Sequence, residues 1–225
     1  MEIQIQIGSV VLDGDLQLPA GASGLVLFAH GSGSSRLSPR NQSVARELNH
    51  AGIGTLLFDL LSERESENRE NIFDIPFLAR RLVSATHWLV GPEGWLVRNG
   101  PRGLVASEFP IGFFGASTGA GAALWAAAQM GERISAVVSR GGRPDLANPK
   151  LKDVTAPTLL IVGGADTPVI EMNEEAQRHL VCGQLVVIPG ASHLFEEPGT
   201  LEAVARNAIQ WFGRYFLAQT SKTAA

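Results

Sequence analysis

The sequence is poor in cysteine, in basic residues relative to acidic ones, and in long apolar runs. Its one cysteine, Cys182, cannot form an internal disulfide, which favours a reducing, cytoplasmic location. A formal net charge of -4 at pH 7 offers no basic surface to nucleic acid. No apolar run approaches the roughly 20 residues that cross a bilayer, and the amino terminus lacks the features of a signal peptide. We therefore expect a cytoplasmic protein that binds neither nucleic acid nor membrane.

Motifs for metals and nucleotides are also missing from the sequence. No spacing of cysteine and histidine suits zinc, and the acidic residues of 62–71 have the pattern of solvated charge. The glycine-rich segment 30–35 lacks both the Lys-Ser/Thr ending of a P-loop and the Gly-x-Gly-x-x-Gly spacing. We expect neither a metal nor a cofactor.

Apolar runs of strand length alternate with helical patterns along the chain. Residues 3–7 and 10–18 predict an antiparallel hairpin with one solvated face, placed at a sheet edge. Continuous apolar runs predict strands at 25–29, 55–59, 111–114, 136–138, 158–162 and 185–188. Apolar residues at helical spacing predict helices at 39–51, 73–90, 120–130, 169–180 and 201–216. The alternation predicts an α/β fold, with a mostly parallel central sheet covered by helices on both faces.

The whole chain, 1–225, is expected to form one domain. Its 225 residues and 45% hydrophobic content suit a single core. Residues 62–71 are rich in charge and predict a solvated loop, whereas 91–110 predict a surface excursion with an apolar tip. Residues from about 218 to 225 are expected to form a disordered tail.

The segment Gly115-Ala116-Ser117-Thr118-Gly119 has the pattern of a nucleophile elbow, the sharp strand-to-helix turn that exposes one serine hydroxyl at the end of a parallel sheet. The pattern alone is weak, because glycine and serine are common in this chain. Its setting favours catalysis over a structural glycine turn, since a short apolar run precedes it and an alanine-rich helical pattern follows it. Small neighbours are needed there because a strained serine leaves no room for bulky ones.

A serine hydroxyl needs a base within hydrogen-bond reach and a group that orients the base. His193 follows the last predicted strand and Asp166 follows the strand before it. The chain order Ser117, Asp166, His193 is the order of α/β-hydrolase triads. His30 lies beside the glycine-rich loop, where its expected role is to shape that loop. The rival acids are Asp145, Asp153 and Glu171.

An acyl-transfer transition state also needs two fixed N–H donors for the carbonyl oxygen. The Thr118 N–H, at the start of the predicted helix, is one candidate. The loop after His30 is expected to supply the other, with Ser32 chosen and Gly31 or Gly33 as its neighbours in register.

Arginines follow several predicted strands at the same rim. A guanidinium fork matches a carboxylate, so these side chains are candidates to bind an anionic group of the substrate. The alternative is that they brace loops through carbonyl groups and local acids. The candidates for substrate binding are Arg36, Arg140 and Arg143, with Arg40 nearby.

Four segments resemble the dienelactone hydrolase-like branch of the α/β hydrolases, and the similarity extends across nearly the whole chain. The segments are 30–36 (HGSGSSR), 115–119 (GASTG), 139–145 (SRGGRPD) and 191–199 (ASHLFEEPG). The resemblance implies an α/β-hydrolase fold without a large cap domain, a shallow and open pocket, no cofactor, and a triad of Ser117, Asp166 and His193. Some members are joined to phosphoribosyltransferase domains, for which this sequence shows no counterpart. Members that open dienelactone carry cysteine at the elbow, where this chain has serine, which points away from that substrate.

The motifs together predict a serine hydrolase. It is expected to cleave a carboxylic ester, thioester or lactone bond of a small molecule through an acyl-serine intermediate. Two alternatives stay open: acyl transfer to an acceptor other than water, and a ligand-binding protein that keeps the fold without turnover. The acyl size and the oligomeric state are left undetermined.

Overall fold

An eight-stranded sheet forms the centre of the computed structural model, which describes residues 1–223. In chain order the strands are β1 (Glu2–Ile7), β2 (Val10–Gln17), β3 (Leu25–Ala29), β4 (Gly54–Phe58), β5 (Ile111–Ala116), β6 (Ala136–Arg140), β7 (Thr158–Gly163) and β8 (Gly183–Ile188). In space their order is β1-β2-β4-β3-β5-β6-β7-β8. Strand β2 runs antiparallel to β1 and β4, and the remaining neighbours are parallel. The predicted mostly parallel sheet with an antiparallel hairpin at one edge is confirmed.

Helices cover both faces of this sheet. They are α1 (Pro39–His50), α2 (Glu63–Ser66), α3 (Arg69–Phe73), α4 (Ile75–Val90), α5 (Trp95–Asn99), α6 (Thr118–Met130), α7 (Thr167–His179) and α8 (Thr200–Thr223). Short 3-10 segments lie at Gly131–Arg133 and Pro144–Asp153. Apolar residues of α4 and α6 belong to one core, and those of α1 and α8 belong to the core on the opposite face. Among residues 1–223, no helix is long and apolar enough to cross a membrane.

The central strands are continuous apolar runs because they are enclosed on both faces. Every residue of β3 through β7 is buried. Phe28 of β3 and Phe114 of β5, for example, stack with ring centroids 4.8 Å apart. Successive parallel strands end at the same edge of the sheet, so the loops that follow β3 to β8 meet there.

The segment 62–71 was expected to be a solvated loop. It is largely exposed, as expected, but the prediction of a loop was wrong. It contains α2 and the start of α3. Ser62 and Glu65 form a capping box, in which each side chain accepts a hydrogen bond from the other residue's backbone N–H. Glu65 also pairs with Arg81 of α4, which holds these helices against the domain. The Ser-x-x-Glu spacing was the signal that the charge pattern obscured.

The segment 91–110 does form an excursion with its own short helix, α5. Leu96 and Phe109 are buried, at 2% and 9% exposure, so the apolar tip packs against the protein. The segment leads into the first residue of β5, at the edge of the sheet opposite to the strand ends that follow β3 to β8. It therefore adds nothing to that opposite edge.

The carboxyl-terminal residues differ in part from expectation. A disordered tail was expected over 218–225, whereas α8 continues to Thr223. Residues 224–225 lie outside the described part of the chain.

Candidate active site

Ser117 occupies a strained turn between β5 and α6, with φ 51° and ψ -123°. Its neighbours leave no space for side chains. A Cβ at Gly115 would lie 2.4 Å from Ala120 Cα, and a Cβ at Gly119 would lie 2.2 Å from the Ala29 carbonyl oxygen. Glycine at both positions allows the turn to close and places the serine between strand and helix, as an elbow requires.

His193 and Asp166 are in direct contact. The His193 Nδ1 atom lies 2.7 Å from Asp166 Oδ2. The two loops are joined nearby by the Ala165 N–H, which donates to the Ala191 carbonyl at 2.9 Å. The Asp166 side chain is 15% exposed and the His193 side chain 39% exposed, so the carboxylate is shielded while the imidazole reaches solvent. With Nδ1–H directed at the carboxylate, Nε2 is available to accept a proton.

Ser117 and His193 lie against the same loop, residues 140–143 after β6. The Ser117 N–H donates to the Arg140 carbonyl at 3.2 Å, and the Arg143 N–H donates to the Ser117 carbonyl at 3.0 Å. A Cβ at Gly141 would lie 3.6 Å from His193 Cε1. Within residues 1–223, no hydrogen bond joins the Ser117 hydroxyl to the imidazole. The structure thus brings Asp166 and His193 together and sets Ser117 at the loop that His193 also contacts.

Glu197 braces the loop that carries His193. Its carboxylate accepts the Ser192 N–H at 3.0 Å, and this hydrogen bond lowers the pKa of Glu197. Phe195, between them, adopts φ 57°. Sequence reasoning did not assign Glu197 a role, although an acid four residues after a loop histidine is within reach of the loop's own backbone.

Ser32 and Thr118, the predicted oxyanion-hole residues, are in contact with each other. The Ser32 N–H donates to Thr118 Oγ1 at 2.8 Å. The N–H that was predicted to be the second donor is therefore engaged by a side chain that the prediction did not consider. The Thr118 N–H begins α6, whose amino terminus, in the described structure, has no side-chain cap. The first N–H groups of a helix lack intrahelical partners, so this donor can serve a ligand.

Two of the three candidate substrate-binding arginines already pair with carboxylates. Arg36 lies 2.9 Å from Asp59 and 3.4 Å from Asp15. Arg143 forms two hydrogen bonds to Asp145, at 2.8 and 2.7 Å. These contacts favour the alternative role of bracing loops.

Arg140, the third candidate, is buried and pairs with no carboxylate among residues 1–223. Its Nη2 donates to Asn41 Oδ1 at 3.3 Å, and its guanidinium carbon lies 5.8 Å from the centre of the Phe195 ring. Burial, together with repulsion from Arg40, lowers the pKa of Arg140 to about 10, so the group stays charged at neutral pH. Arg140 therefore links the elbow, through its carbonyl, to the His193 loop, through its side chain.

His30 joins the glycine-rich loop to the end of β4. Its Nε2 accepts the Leu60 N–H at 3.1 Å, and its Nδ1 lies 3.1 Å from the Gly31 carbonyl. Because a backbone N–H can only donate, Nε2 is unprotonated and Nδ1 carries the hydrogen. Burial lowers the pKa of His30, which keeps the ring neutral at pH 7.

Side chains that could hold a metal are not grouped at this site. Among residues 1–223, no three or more His, Cys, Asp or Glu side chains are placed to share an ion.

Sequence comparison finds close relatives of this chain, although no protein-family model matches it. Proteins from two strains of Mycobacterium tuberculosis, both provisionally named phosphoribosyl transferase, are 54% identical over 213 residues. The match covers 94% of this chain but 45% of each relative, so the chain spans less than half of their length.

Solved structures extend the comparison to the fold. Est1E from Butyrivibrio proteoclasticus is 16% identical, covers 98% of this chain and 99% of its own, and superposes with a TM-score of 0.75. A dienelactone hydrolase from Anabaena variabilis ATCC 29413 is 54% identical, with a TM-score of 0.87, over 96% of this chain and 97% of that one. Because this identity extends over almost the full length of both chains, the protein belongs to the dienelactone hydrolase-like branch of the α/β-hydrolase superfamily.

Proposed function

We propose that the chain is a serine hydrolase that cleaves a carboxylic ester, thioester or lactone bond through an acyl-Ser117 intermediate. The observation that carries the proposal is a strained elbow serine beside the loop that a solvent-reaching imidazole also contacts, with that imidazole held by a shielded carboxylate. The Anabaena relative is named a dienelactone hydrolase, and this name and the shared fold support hydrolysis as the reaction class.

In the proposed mechanism, Ser117 Oγ attacks the carbonyl carbon while His193 Nε2 takes the hydroxyl proton. Asp166 keeps the Nδ1 hydrogen directed at itself and stabilises the imidazolium. The tetrahedral intermediate collapses, the bond to the leaving oxygen or sulfur breaks, and His193 returns the proton to that atom. Water then attacks the acyl group with His193 as base, which releases the acid and restores the Ser117 hydroxyl. A rotation of the Ser117 side chain to within hydrogen-bond reach of His193 Nε2 precedes the first step, because such contacts often tighten only when substrate binds.

The developing oxyanion needs donors at its own position. We assign the Thr118 N–H as one donor. The Ser32 N–H is the second, held in place by the Thr118 hydroxyl until the carbonyl oxygen arrives.

Phosphoribosyl transfer is not part of this proposal. The provisional name belongs to proteins of which this chain matches 45%. The chemistry that we assign to Ser117, His193 and Asp166 is acyl transfer.

The proposal is tested by labelling with a fluorophosphonate probe and by hydrolysis of p-nitrophenyl acetate. Mass spectrometry should locate the adduct on Ser117, and Ser117→Ala should lower kcat by about 10⁵-fold or more. Ser107→Ala, which alters an exposed serine of the segment 91–110 at the opposite edge of the sheet, is the control and should keep both reactions. Labelling that persists in Ser117→Ala, or hydrolysis that is equal in the two variants, would contradict the proposal.

A further inference from the structure

A cavity of about 670 Å³ opens beside the elbow, at the carboxyl ends of β3 and β4. Gly31 and Ser32 form part of its wall. A Cβ at Gly31 would lie 3.1 Å from Ser117 Cβ and 3.8 Å from Ser117 Oγ, so Gly31 stands between the cavity and the nucleophile, which is not itself a lining residue. The volume is within the range of small-molecule binding sites. We call this space the β3–β4 cavity.

The sheet order decides which part of a substrate can enter the β3–β4 cavity. Strand β5, which carries Ser117, has β3 and β4 on one side and β6, β7 and β8 on the other. His193 and Asp166 follow β8 and β7, on the side away from the cavity. Because His193 must protonate the leaving group, the alcohol or thiol lies toward His193. The acyl group, which stays on Ser117, is then directed toward the cavity.

Aliphatic residues form one part of the lining of the β3–β4 cavity, and serines of the segments 32–35 and 62–66 form another. Leu60 and Leu61, after β4, and Leu78 of α4 all line it, at 0%, 9% and 4% exposure. Val11 and Leu12 of β2, Leu37 of the loop before α1, and Ile72 of α3 also line it. Apolar side chains from β2, α3, α4 and two loops therefore meet in one space, which favours an apolar occupant.

The charges around the β3–β4 cavity disfavour an anionic occupant. The only guanidinium in its lining, Arg36, is neutralised at 2.9 Å by Asp59 and at 3.4 Å by Asp15. Its backbone N–H also donates to Asp59, at 2.8 Å. Asp13 and Glu63 add two further carboxylates to the lining. A substrate carboxylate would therefore meet a surplus of negative charge and no unpaired cation.

We infer that the β3–β4 cavity is the acyl subsite and that it selects uncharged, aliphatic acyl groups. The inference rests on the proposed acyl-serine mechanism, and it goes beyond that mechanism by naming the substrate class. It also assigns Arg36 a structural role, in which its guanidinium pairs with Asp15 and Asp59 at the cavity wall. This replaces the anion-binding role considered from sequence.

Three p-nitrophenyl esters test the inference. Acetate is too short to enter the cavity, hexanoate extends into it, and the adipate monoester has the same chain length as hexanoate with a terminal carboxylate. Each methylene bound in an apolar pocket can raise kcat/KM by about tenfold. The value for hexanoate should therefore exceed that for acetate by at least about tenfold. The adipate monoester should be cleaved at least about tenfold less efficiently than hexanoate.

Ile72→Trp and Phe73→Trp form a matched pair of variants on α3. Ile72 lines the cavity, whereas its neighbour Phe73 is 51% exposed and does not. Ile72→Trp should lower kcat/KM for hexanoate by about tenfold and change acetate hydrolysis by less than about threefold. Phe73→Trp should leave both values unchanged. Ser66 lines the cavity at an exposed position, so a tryptophan there does not disturb the packing of the core. Ser66→Trp should lower kcat/KM for hexanoate and spare acetate hydrolysis, as expected for Ile72→Trp.

The outcomes separate the inference from the proposed function. Ser117-dependent acetate hydrolysis without a preference for hexanoate, or with a preference for the adipate monoester, would overturn the inference and leave the proposed function standing. Equal effects of the two tryptophan variants on α3 would overturn it as well. No Ser117-dependent hydrolysis of any ester would overturn the proposed function and this inference with it.

Discussion

The two sides of Ser117 use their polar groups in opposite ways. Toward β8, His193 reaches solvent and keeps Nε2 available, while Asp166 holds Nδ1 at 2.7 Å. Toward β4, Arg36 is paired with carboxylates and the His30 ring makes two contacts to backbone groups. One side is therefore equipped to move a proton, and the other has its guanidinium neutralised beside aliphatic side chains.

Because of this difference, we expect residues on one side to set the reaction rate and residues on the other side to set the substrate preference. A substitution on the His193 side should lower the rate for every substrate, because all substrates share the proton transfers. A substitution in the β3–β4 cavity should change the ratio between substrates, because only the acyl group differs there. Variants on each side of Ser117 test whether rate and substrate preference depend on different residues.

Asp166→Asn should have the largest effect on the His193 side. Removal of the charge leaves the imidazolium unstabilised and its tautomer no longer imposed, so kcat should fall by about 10³-fold or more for acetate and hexanoate alike. Asp145→Asn, which removes an acid at the same rim that pairs with Arg143, is the control and should change kcat by less than about threefold. Equal losses in the two variants would show that His193 does not depend on Asp166.

Thr118→Val tests the boundary between the two sides. The change removes the hydroxyl that accepts the Ser32 N–H at 2.8 Å and keeps the shape of the side chain. With the second oxyanion donor no longer held, kcat should fall by about tenfold while KM changes little. Thr118→Ser restores the acceptor and should recover most of the activity. A fall in kcat for Thr118→Ser as large as that for Thr118→Val would assign the effect to packing.

The pH dependence of stability should reveal the neutral His30, and this is the smallest expected effect. Burial lowers the pKa of His30 in the folded state, so below about pH 6.5 the unfolded chain binds a proton that the folded chain does not. The free energy of unfolding should therefore decrease as the pH falls from about 6.5 toward the lowered pKa, by at most about 1.4 kcal/mol per pH unit.

This slope is measured by urea unfolding at a series of pH values from about 5 to about 8, a range that includes the ordinary pKa of histidine. His30→Gln should flatten it. His179→Gln, which removes an exposed imidazole on α7, is the control for losing a histidine and should retain the His30 contribution. An unchanged slope in His30→Gln would mean that folding does not lower the pKa of His30.

Local pattern was sufficient for most of the secondary structure. The apolar runs at β3 and β7 and the glycine-flanked Ser117 are features of adjacent residues, so a strand or an elbow could be predicted from them. The capping box at Ser62 and Glu65 was equally local but was hidden by the surrounding charge.

Contacts between distant residues could not be predicted in the same way. Arg36 resembled a free cation in sequence, because its partners Asp15 and Asp59 lie on other elements of the chain. The Thr118 hydroxyl reaches Ser32 across 86 positions, and neither residue signals the other. The partner of a charge or a donor depends on strand order, which is a property of the whole sheet.

The amino-acid sequence by itself determined a parallel α/β sheet, an elbow at Ser117, and the order in which an acid and an imidazole follow it. Only the tertiary structure decided which arginines are neutralised, that the Ser32 N–H is held by a threonine, and that an aliphatic cavity opens on one side of the nucleophile. Backbone preferences and hydrophobic periodicity act over neighbouring residues, whereas ion pairing and cavity shape arise from segments that only folding brings together.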